Sequence, residues 1–439
     1  MPLFGRKKND EALRQVPEVA ALPEPPAPGP DGLRSLEDHR DYLLGCVEEL
    51  MPFGQHVLDA LGLSIYEDVV SGLDLPRFDN SAMDGYAVRA ADVQYATDLR
   101  PVRLPVVGEV PAGGAAPHRL SPGTVMKIMT GAPIPGDADA IVPYEATDRG
   151  STDVTVTVPS TAGQHIRRRG EDVATGDLIL AAGSRIGVRD VGLLAAVGVD
   201  KVLVRPRPRV VVISTGSELV DPGLALAPEQ IYDSNSYLLA AAAKDAGAQV
   251  FRVGHVGDDA AALKQLVYDQ LVRADLILTT GGVSKGDYDM VKAVLPELGA
   301  TDFASVAMQP GKPQGFGLIG DDRTPIIMLP GNPVSAFVSF EAFVRPVIRK
   351  LMGSTPYVRP GLRCAAAHAM SSIKARTQLA RGRITTDAAG ARTVELVGGH
   401  GSHLLGDLSR ADALVVLPAG TEFVAAGTEV EVWPLDLPR

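Results

Sequence analysis

The chain of 439 residues reads as a multidomain protein of the α/β plus β class. The expected parts are a doubly wound parallel-sheet domain, an inserted small β domain, a helical lead-in domain and a C-terminal β barrel. Three patterns predict this. From Arg209 to Phe340, short continuous apolar runs alternate with stretches of helical spacing, the order that folds as parallel strands joined by right-handed crossovers. Between Val102 and Val142, short β-branched segments are punctuated by Gly and Pro. Beyond Gly353, segments such as TVELV, ALVVL and TEVEVW alternate in polarity and are separated by glycine turns, as in a small barrel or sandwich.

Composition bounds the function. A hydrophobic content of 45% over this length supports several cores, and 46 glycines with 34 prolines imply many turns. Cys46 and Cys364 are far apart and match no zinc or redox spacing, so a reducing, cytoplasmic setting is expected. A net charge of -11 argues against nonspecific nucleic-acid binding but leaves room for a small anion in a locally positive cleft. No apolar run reaches membrane-spanning length, so no membrane partner is expected. Arg6, Lys7 and Lys8 precede Pro and Glu where an export signal needs an apolar stretch.

In chain order, residues 1–32 carry VPEVAALPEPPAPGPDG and are expected to form a disordered, Pro-rich tail. Apolar positions at Leu43, Val47, Leu50, Val57, Leu58 and Leu61 then recur with helical spacing, broken at Pro52 and Gly54. These predict a helical and linking domain from residues 33–72 and 171–207, whose two parts pack together around a β domain at 73–170. Residues 208–355 form the α/β domain and 356–439 the barrel.

The stretch LILTTGGVSKGDYDMVKAVL, residues 276–295, organises the α/β domain: a buried strand breaks into a glycine loop and resumes as a helix. Gly281 and Gly282 permit a sharp turn and close backbone approach to an anion. Asp287 and Asp289 stand at the helix entrance, where capping alone would favour carboxylates. Parallel topology changes the balance. It gathers the strand ends TGSE, GDD, TGGVSKGD and LPGNPVS on one edge, where ligands bind in such sheets. Glu218, Asp258, Asp287 and Asp289 then meet beside helix N-termini, and a divalent cation of the magnesium type bridging them to an anionic ligand is the better reading. Lys285 and Lys312 are able to supply fixed positive charge, although each alone reads equally well as a surface lysine.

Other segments are read against ordinary structural roles. FDNSAMDGYAV, residues 78–88, fits two turns before a strand, yet its density of polar groups suits a polar ligand. Thr130 lies on an exposed turn of the β domain. Arg167, Arg168 and Arg169 in IRRRGEDV are either a solvated surface or guanidinium clamps for an oxyanion. His400, Ser402 and His403 of the barrel lack a partner at metal spacing and read as loop residues.

Taken together, FDNSAMDGYAV, MTGAPIPGDADAIVPYE, IRRRGEDV, STGSEL, TTGGVSKGDYD, PGKP and LPGNPVSA strongly resemble, in order, the motifs of MoeA-type molybdopterin molybdenumtransferases, the gephyrin E-domain family. The resemblance covers roughly residues 35–439. It implies a homodimer with a composite active site that takes adenylylated molybdopterin and molybdate, uses Mg2+, inserts the metal and releases AMP. It implies catalytic roles for Asp84, Thr130, Glu218, Asp258 and Asp289, and metal binding by Glu218, Asp287 and Asp289. Substrate binding falls to Arg167, Asp172, Gly281, Gly282, Ser284, Lys285, Lys312, Pro330 and Pro333. The adenylylating enzyme of the preceding step is the implied partner. Gln309 in MQPGKP stands where many members have lysine, and Gly406-Asp407 where relatives often have small hydroxyl residues. Two alternatives are the adenylylating step itself, whose family lacks the DNSAMDGYA segment and the barrel, and a gephyrin-like scaffold.

Overall fold

The computed structural model describes residues 21–114, 119–257, 259–281 and 290–435. The chain divides into two compact units: Gly54–Leu61 with Ile65–Val204 form one, and the remaining residues form the other.

The first helix, α1 (Leu36–Gly45), starts at Ser35, whose side chain accepts from the Asp38 backbone N–H. It belongs to the α/β unit, with Leu36, Tyr42 and Leu43 buried in that unit's main core beside Phe343 and Val347. Residues 186–204 belong to the smaller unit. A second helical stretch at Val57–Leu61 is absent. Phe53–His56 is a strand followed by turns, and Leu58 and Leu61 are exposed, because Pro52, Gly54 and Gly62 leave too short a run to nucleate a helix.

The stretch from Ala21 to Leu33 is not a free tail. The Tyr42 hydroxyl donates to the Pro23 carbonyl at 3.2 Å, and Arg34 Nε donates to the Pro26 carbonyl at 3.1 Å. Leu22 packs on the main core. Prolines preset an extended backbone that loses little entropy on docking, which is why this composition lies down here.

The smaller unit holds an open sheet of β1 (Gly85–Val88), β2 (Val102–Val110), β3 (Val125–Ile128), β4 (Ala140–Pro143) and β5 (Asp153–Val156). Their spatial order is β4-β1-β3-β2-β5. Tyr86, Val88, Val125, Val142 and Val154 fill its core. At the head of β1, a Cβ on Gly85 would stand 2.0 Å from the Val142 carbonyl oxygen, so only glycine lets Asp84 emerge at that edge.

In the larger unit, β6 (Arg209–Thr215), α2 (Asn235–Asp245), β7 (Gln249–Val256), α3 (Ala260–Leu271) and β8 (Leu276–Thr280) follow the expected alternation. Next come α4 (Met290–Val294), β9 (Gly299–Ser305), β10 (Pro313–Ile319) and β11 (Thr324–Leu329). Spatial order is β7-β6-β8-β11-β10-β9. The first four strands are parallel, and β10 and β9 extend the sheet as an antiparallel pair. That pair adds to the sequence expectation: glycines at 315 and 317 weaken its strand signal, yet their Cβ positions would collide with Met328 Sδ and with the Ala300 carbonyl oxygen. One apolar face packs on α3 and α4, the other on α1, α2 and the helical run that begins with α5 (Pro333–Ser339) and ends with α6 (Arg345–Leu351).

The barrel closes as expected. Strands β12 (Leu362–Ala366), β13 (Thr377–Thr386), β14 (Arg392–Leu396), β15 (Ala413–Leu417) and β16 (Glu429–Pro434) form a ring in the order β13-β14-β12-β16-β15, with β15 pairing back to β13. Both cysteines are free.

Within α1, His39 is 1% exposed and its Nδ1 lies 3.1 Å from Arg34 Nη1. Burial, reinforced by the Arg34 charge, lowers its pKa from 6.5 to about 3, so the folded protein holds it neutral while the unfolded chain charges. The unfolded state therefore binds more protons between those values, and stability falls as pH drops through that window. We expect His39 to contribute a loss approaching 1.4 kcal/mol per pH unit below about 6.5. Urea titrations at stepped pH check this: His39→Gln should flatten the dependence, and an identical slope in both proteins would refute it.

Candidate active site

The parallel order places the C-terminal ends of β6 and β8 side by side, at the point where the chain reverses its direction of travel across the sheet. A cavity of about 490 Å³ opens there. Its walls come from the β6 end (Thr215, Gly216, Glu218), the entrance to α2 (Asp233, Asn235), the β8 end (Thr280, Gly281), the loop before α5 (Gly331, Pro333) and a barrel loop (His403, Leu405). This is the crevice expected for a ligand in a doubly wound sheet.

Backbone geometry keeps the floor bare. Gly281 has φ +96°, and a Cβ there would lie 2.7 Å from Thr215 Oγ1 and 2.8 Å from the Thr215 carbonyl. Its N–H donates to the Leu329 carbonyl at 3.1 Å, which ties β8 to the end of β11. At Gly216, φ is +150° and a Cβ would fall 2.6 Å from Glu218 Oε2. Glycine at these positions lets Glu218 fold back over the β6 end.

Polar side chains stitch the walls together. Asp233 is 1% exposed, and its carboxylate accepts from the Ser214 hydroxyl at 3.0 Å and from the N–H and hydroxyl of Ser236 at 3.0 and 2.6 Å. Asn235 donates through Nδ2 to Thr280 Oγ1 at 3.0 Å and to the Gly331 carbonyl at 2.6 Å. Thr280 passes the chain on by donating to the Pro330 carbonyl at 3.2 Å. Three separate loops are thus locked into one rim.

The barrel loop is splinted to the same rim. Arg381 on β13 is buried, which pushes its guanidinium pKa down, and it donates to the carbonyls of Gly399 and Gly401, the latter at 3.1 Å. Gln378 meets His400 Nδ1 at 2.9 Å, and the Val334 N–H at the start of α5 donates to the Ser402 carbonyl at 3.0 Å.

Among the residues singled out from sequence, Glu218, Gly281 and Pro333 line this cavity, and Pro330 lies directly behind Thr280. Lys312 is not among the lining residues; its carbonyl instead accepts from the Val306 N–H. Asp258, Gly282, Ser284, Lys285, Asp287 and Asp289 lie outside the described residues. Asp84, Thr130, Arg167 and Asp172 belong to the smaller unit. There Asp84 accepts from the Thr130 N–H at 2.7 Å and its hydroxyl at 2.9 Å, and these two bonds hold the carboxyl below the usual carboxylate range. The arginine cluster resolves unevenly. Arg168 pairs with Asp79 at 2.6 Å and Arg169 with Asp74, while the exposed Arg167 and Asp172 side chains have no partner among the described residues.

Asp233, Asn235, Thr280 and His403 were not anticipated. The acid-hydroxyl-amide run Asp233-Ser234-Asn235 ahead of α2 carried a readable signal, an acid and an amide at a helix entrance, but His403 carried none beyond its loop position.

Family models match the chain almost end to end: the MoeA N-terminal region (domain I and II) over residues 34–198, a probable molybdopterin binding domain over 211–350, and the MoeA C-terminal region (domain IV) over 363–435. The protein belongs to the MoeA family. Within it, the chain is 45% identical to molybdopterin molybdenumtransferase 2 of Mycobacterium tuberculosis, covering 92% of this chain and 100% of the relative. It is 40% identical to molybdopterin molybdenumtransferase 1 of the same organism, covering 91% and 98%. The solved MoeA structure from Pyrococcus horikoshii superposes with a TM-score of 0.77 at 28% identity, over 91% of this chain and 99% of that one. The described cavity lies in the stretch matched by the molybdopterin-binding model, apart from the barrel loop.

Gly281→Ala tests how much this MoeA-family rim depends on a bare backbone. Both the positive φ and the collision with Thr215 oppose the methyl group, so the folded state should lose about 1–3 kcal/mol. Denaturant unfolding measures it, and an unshifted midpoint would mean the turn relaxes freely.

Proposed function

We propose that this chain inserts molybdate into adenylylated molybdopterin with release of AMP, the last step in forming molybdenum cofactor. The observation that carries this reading is the cavity at the β6 and β8 ends, inside the segment matched by a molybdopterin-binding model, in a chain 45% identical to a named molybdenumtransferase. Likeness that extends through the smaller unit and the barrel favours insertion over the preceding adenylylating step and over a scaffold acting alone.

Both substrates are anions, so the chain must hold them against their repulsion. The glycine floor at Gly281 and Gly331 admits a phosphate close to the backbone. Asn235 and Thr280 hold that floor rigid, so that positioning contributes to the rate by proximity. Asp233 keeps its three donors occupied and shapes the entrance of α2 without presenting a free charge.

Magnesium fits this donor set. The described polar groups on the wall are mainly oxygens, and the Glu218 carboxylate has no hydrogen-bond partner among the described residues. A Mg2+ ion usually takes one or two carboxylates together with substrate phosphates, so Glu218 with Asp287 and Asp289 is a sufficient set. When bound, the ion would draw charge from the phosphate oxygens that part as AMP leaves.

The composite arrangement assigns the remaining roles. Asp84, oriented by Thr130, enters from a second copy of the chain in a homodimer, together with Arg167 and Asp172, while Lys285, Lys312 and Ser284 contact the substrates and Asp258 supports the reacting phosphate. The setting is cytoplasmic, with adenylylated ligand received from the adenylylating enzyme; among the described residues, no helix is long and apolar enough to cross a membrane.

Asp84→Ala should fold normally, because its side chain is exposed and bonded to Thr130 alone among the described residues. AMP release from adenylylated molybdopterin with Mg2+ and molybdate should fall at least 100-fold, on the scale of losing a positioned acid or base. Wild-type turnover in this variant would sink the assignment.

A further inference from the structure

A second cavity, of about 670 Å³, lies at the opposite end of the parallel strands from the site above. Its walls are Arg209 and Thr324 at the starts of β6 and β11, Asp275 just before β8, and the stretch from the end of α1 to Met51. The floor is apolar. Val47, Leu318 and Leu351 are buried there, while Met51 and Val272 stand on the rim, 82% and 87% exposed. Exposed apolar side chains beside an apolar hollow mark a surface that another segment covers.

Two acids on this wall are spent and two are spare. Asp275 takes a two-bond fork from Arg209 at 3.0 and 2.8 Å, and Glu49 takes Arg205 and the Tyr357 hydroxyl. Glu48 and Asp322 are exposed and have no partner among the described residues. The C-terminus of α1 also ends at the cavity, and helix C-termini favour cations. A segment with apolar side chains beside positive charge is the complement of such a hollow. The chain carries one. Residues 1–20 lie outside the described residues, and their sequence opens MPLFGRKK, with Leu3 and Phe4 just ahead of Arg6, Lys7 and Lys8. The described residues start at the mouth of the same cavity: Pro23 lines it, and the wall residue Arg323 donates through Nη2 to the Ala21 carbonyl at 3.4 Å. The dozen residues from 9 to 20 span up to about 40 Å when extended, ample to bring Phe4 back to the hollow.

We propose that the N-terminal segment docks in this cavity of its own molecule, with Leu3 and Phe4 on the floor at Val47 and Leu351 and the run Arg6, Lys7, Lys8 against Glu48 and Asp322. The contact extends to the start of the chain the capture that Tyr42 and Arg34 begin at Pro23 and Pro26. It also covers Cys46, a half-buried residue of the cavity wall.

Three full-length proteins test this: wild type, Leu3→Ser with Phe4→Ser, and Glu48→Lys with Asp322→Lys, whose carboxylates are exposed and support no other contact among the described residues. Trypsin cleavage after Arg6, Lys7 and Lys8 is timed against a synthetic peptide of residues 1–20, and alkylation of Cys46 by a neutral maleimide is followed by mass spectrometry. When a segment opens and recloses faster than it is cut, cleavage reports the open population. Wild type should be cut about 10-fold more slowly than the peptide, equivalent to about 1.4 kcal/mol of docking, and both variants should approach the peptide rate. Leu3→Ser with Phe4→Ser leaves every charge in place, and it should speed Cys46 alkylation about 5-fold. Wild-type cleavage at the peptide rate, or unchanged Cys46 alkylation, would overturn the inference. A response to only one of the two variants removes the other contact and overturns it as stated. Protection that rises with protein concentration puts the segment on a second copy and overturns it as well.

Discussion

The parallel pairing of β7, β6, β8 and β11 is the constraint on which everything else at the site depends. Because these strands run the same way, their C-terminal ends open on one edge, and the connection that leaves β6 for β7 must return across β6 to reach β8. Two loops then depart in opposite directions and leave a crevice between them. The strands can be parallel only because they are buried on both faces: Val210 to Ile213 and Leu276 to Leu278 are fully covered. The apolar character of those few residues therefore fixes where Glu218, Thr280 and Gly281 stand, although they lie beyond the strand centres.

Rigidity at the rim comes from a different source. The described ends of β6, β8 and β11 are joined by Asn235, Thr280 and Asp233. Such side-chain networks are stable because every donor finds an oxygen in a place where water is scarce. The barrel loop joins the rim through the Val334 N–H, is held inside the barrel by the Arg381 guanidinium, and is backed by Leu405 and Leu408 packed on the main core.

Much of this was legible in the sequence, and the exceptions have physical causes. Continuous runs such as VVVIS and LILTT declared buried strands, and glycine beside them declared the turns. Glu218, Gly281 and Pro333 could be placed at the cavity because strand-end loops in a parallel sheet must converge. His403 was not, since its place depends on how a loop between β14 and β15 lies on a distant helix, which no local pattern encodes. The antiparallel pair β9 and β10 was masked by glycines demanded by close strand approach. Helical spacing at residues 57–61 misled because periodicity in so short a run costs a turn more than it returns. The prolines before Leu33 read as a solvated spacer, whereas Tyr42 and Arg34 capture their carbonyls.

That captured segment also decides what the outer border of the sheet presents. β9 is the outermost strand of the sheet, and an open strand edge invites another chain to pair with it. Here Arg34 takes the end of that edge: its N–H donates to the Ser305 carbonyl at 2.9 Å, its carbonyl accepts from the Ala307 N–H at 2.7 Å, and its guanidinium binds Asp302 at 2.7 Å. The stretch from Ala21 to Pro25 lies alongside Gly299 to Asp302. The chain thus caps its own sheet with a segment whose prolines cannot donate to a further strand. An approaching strand finds this border already covered.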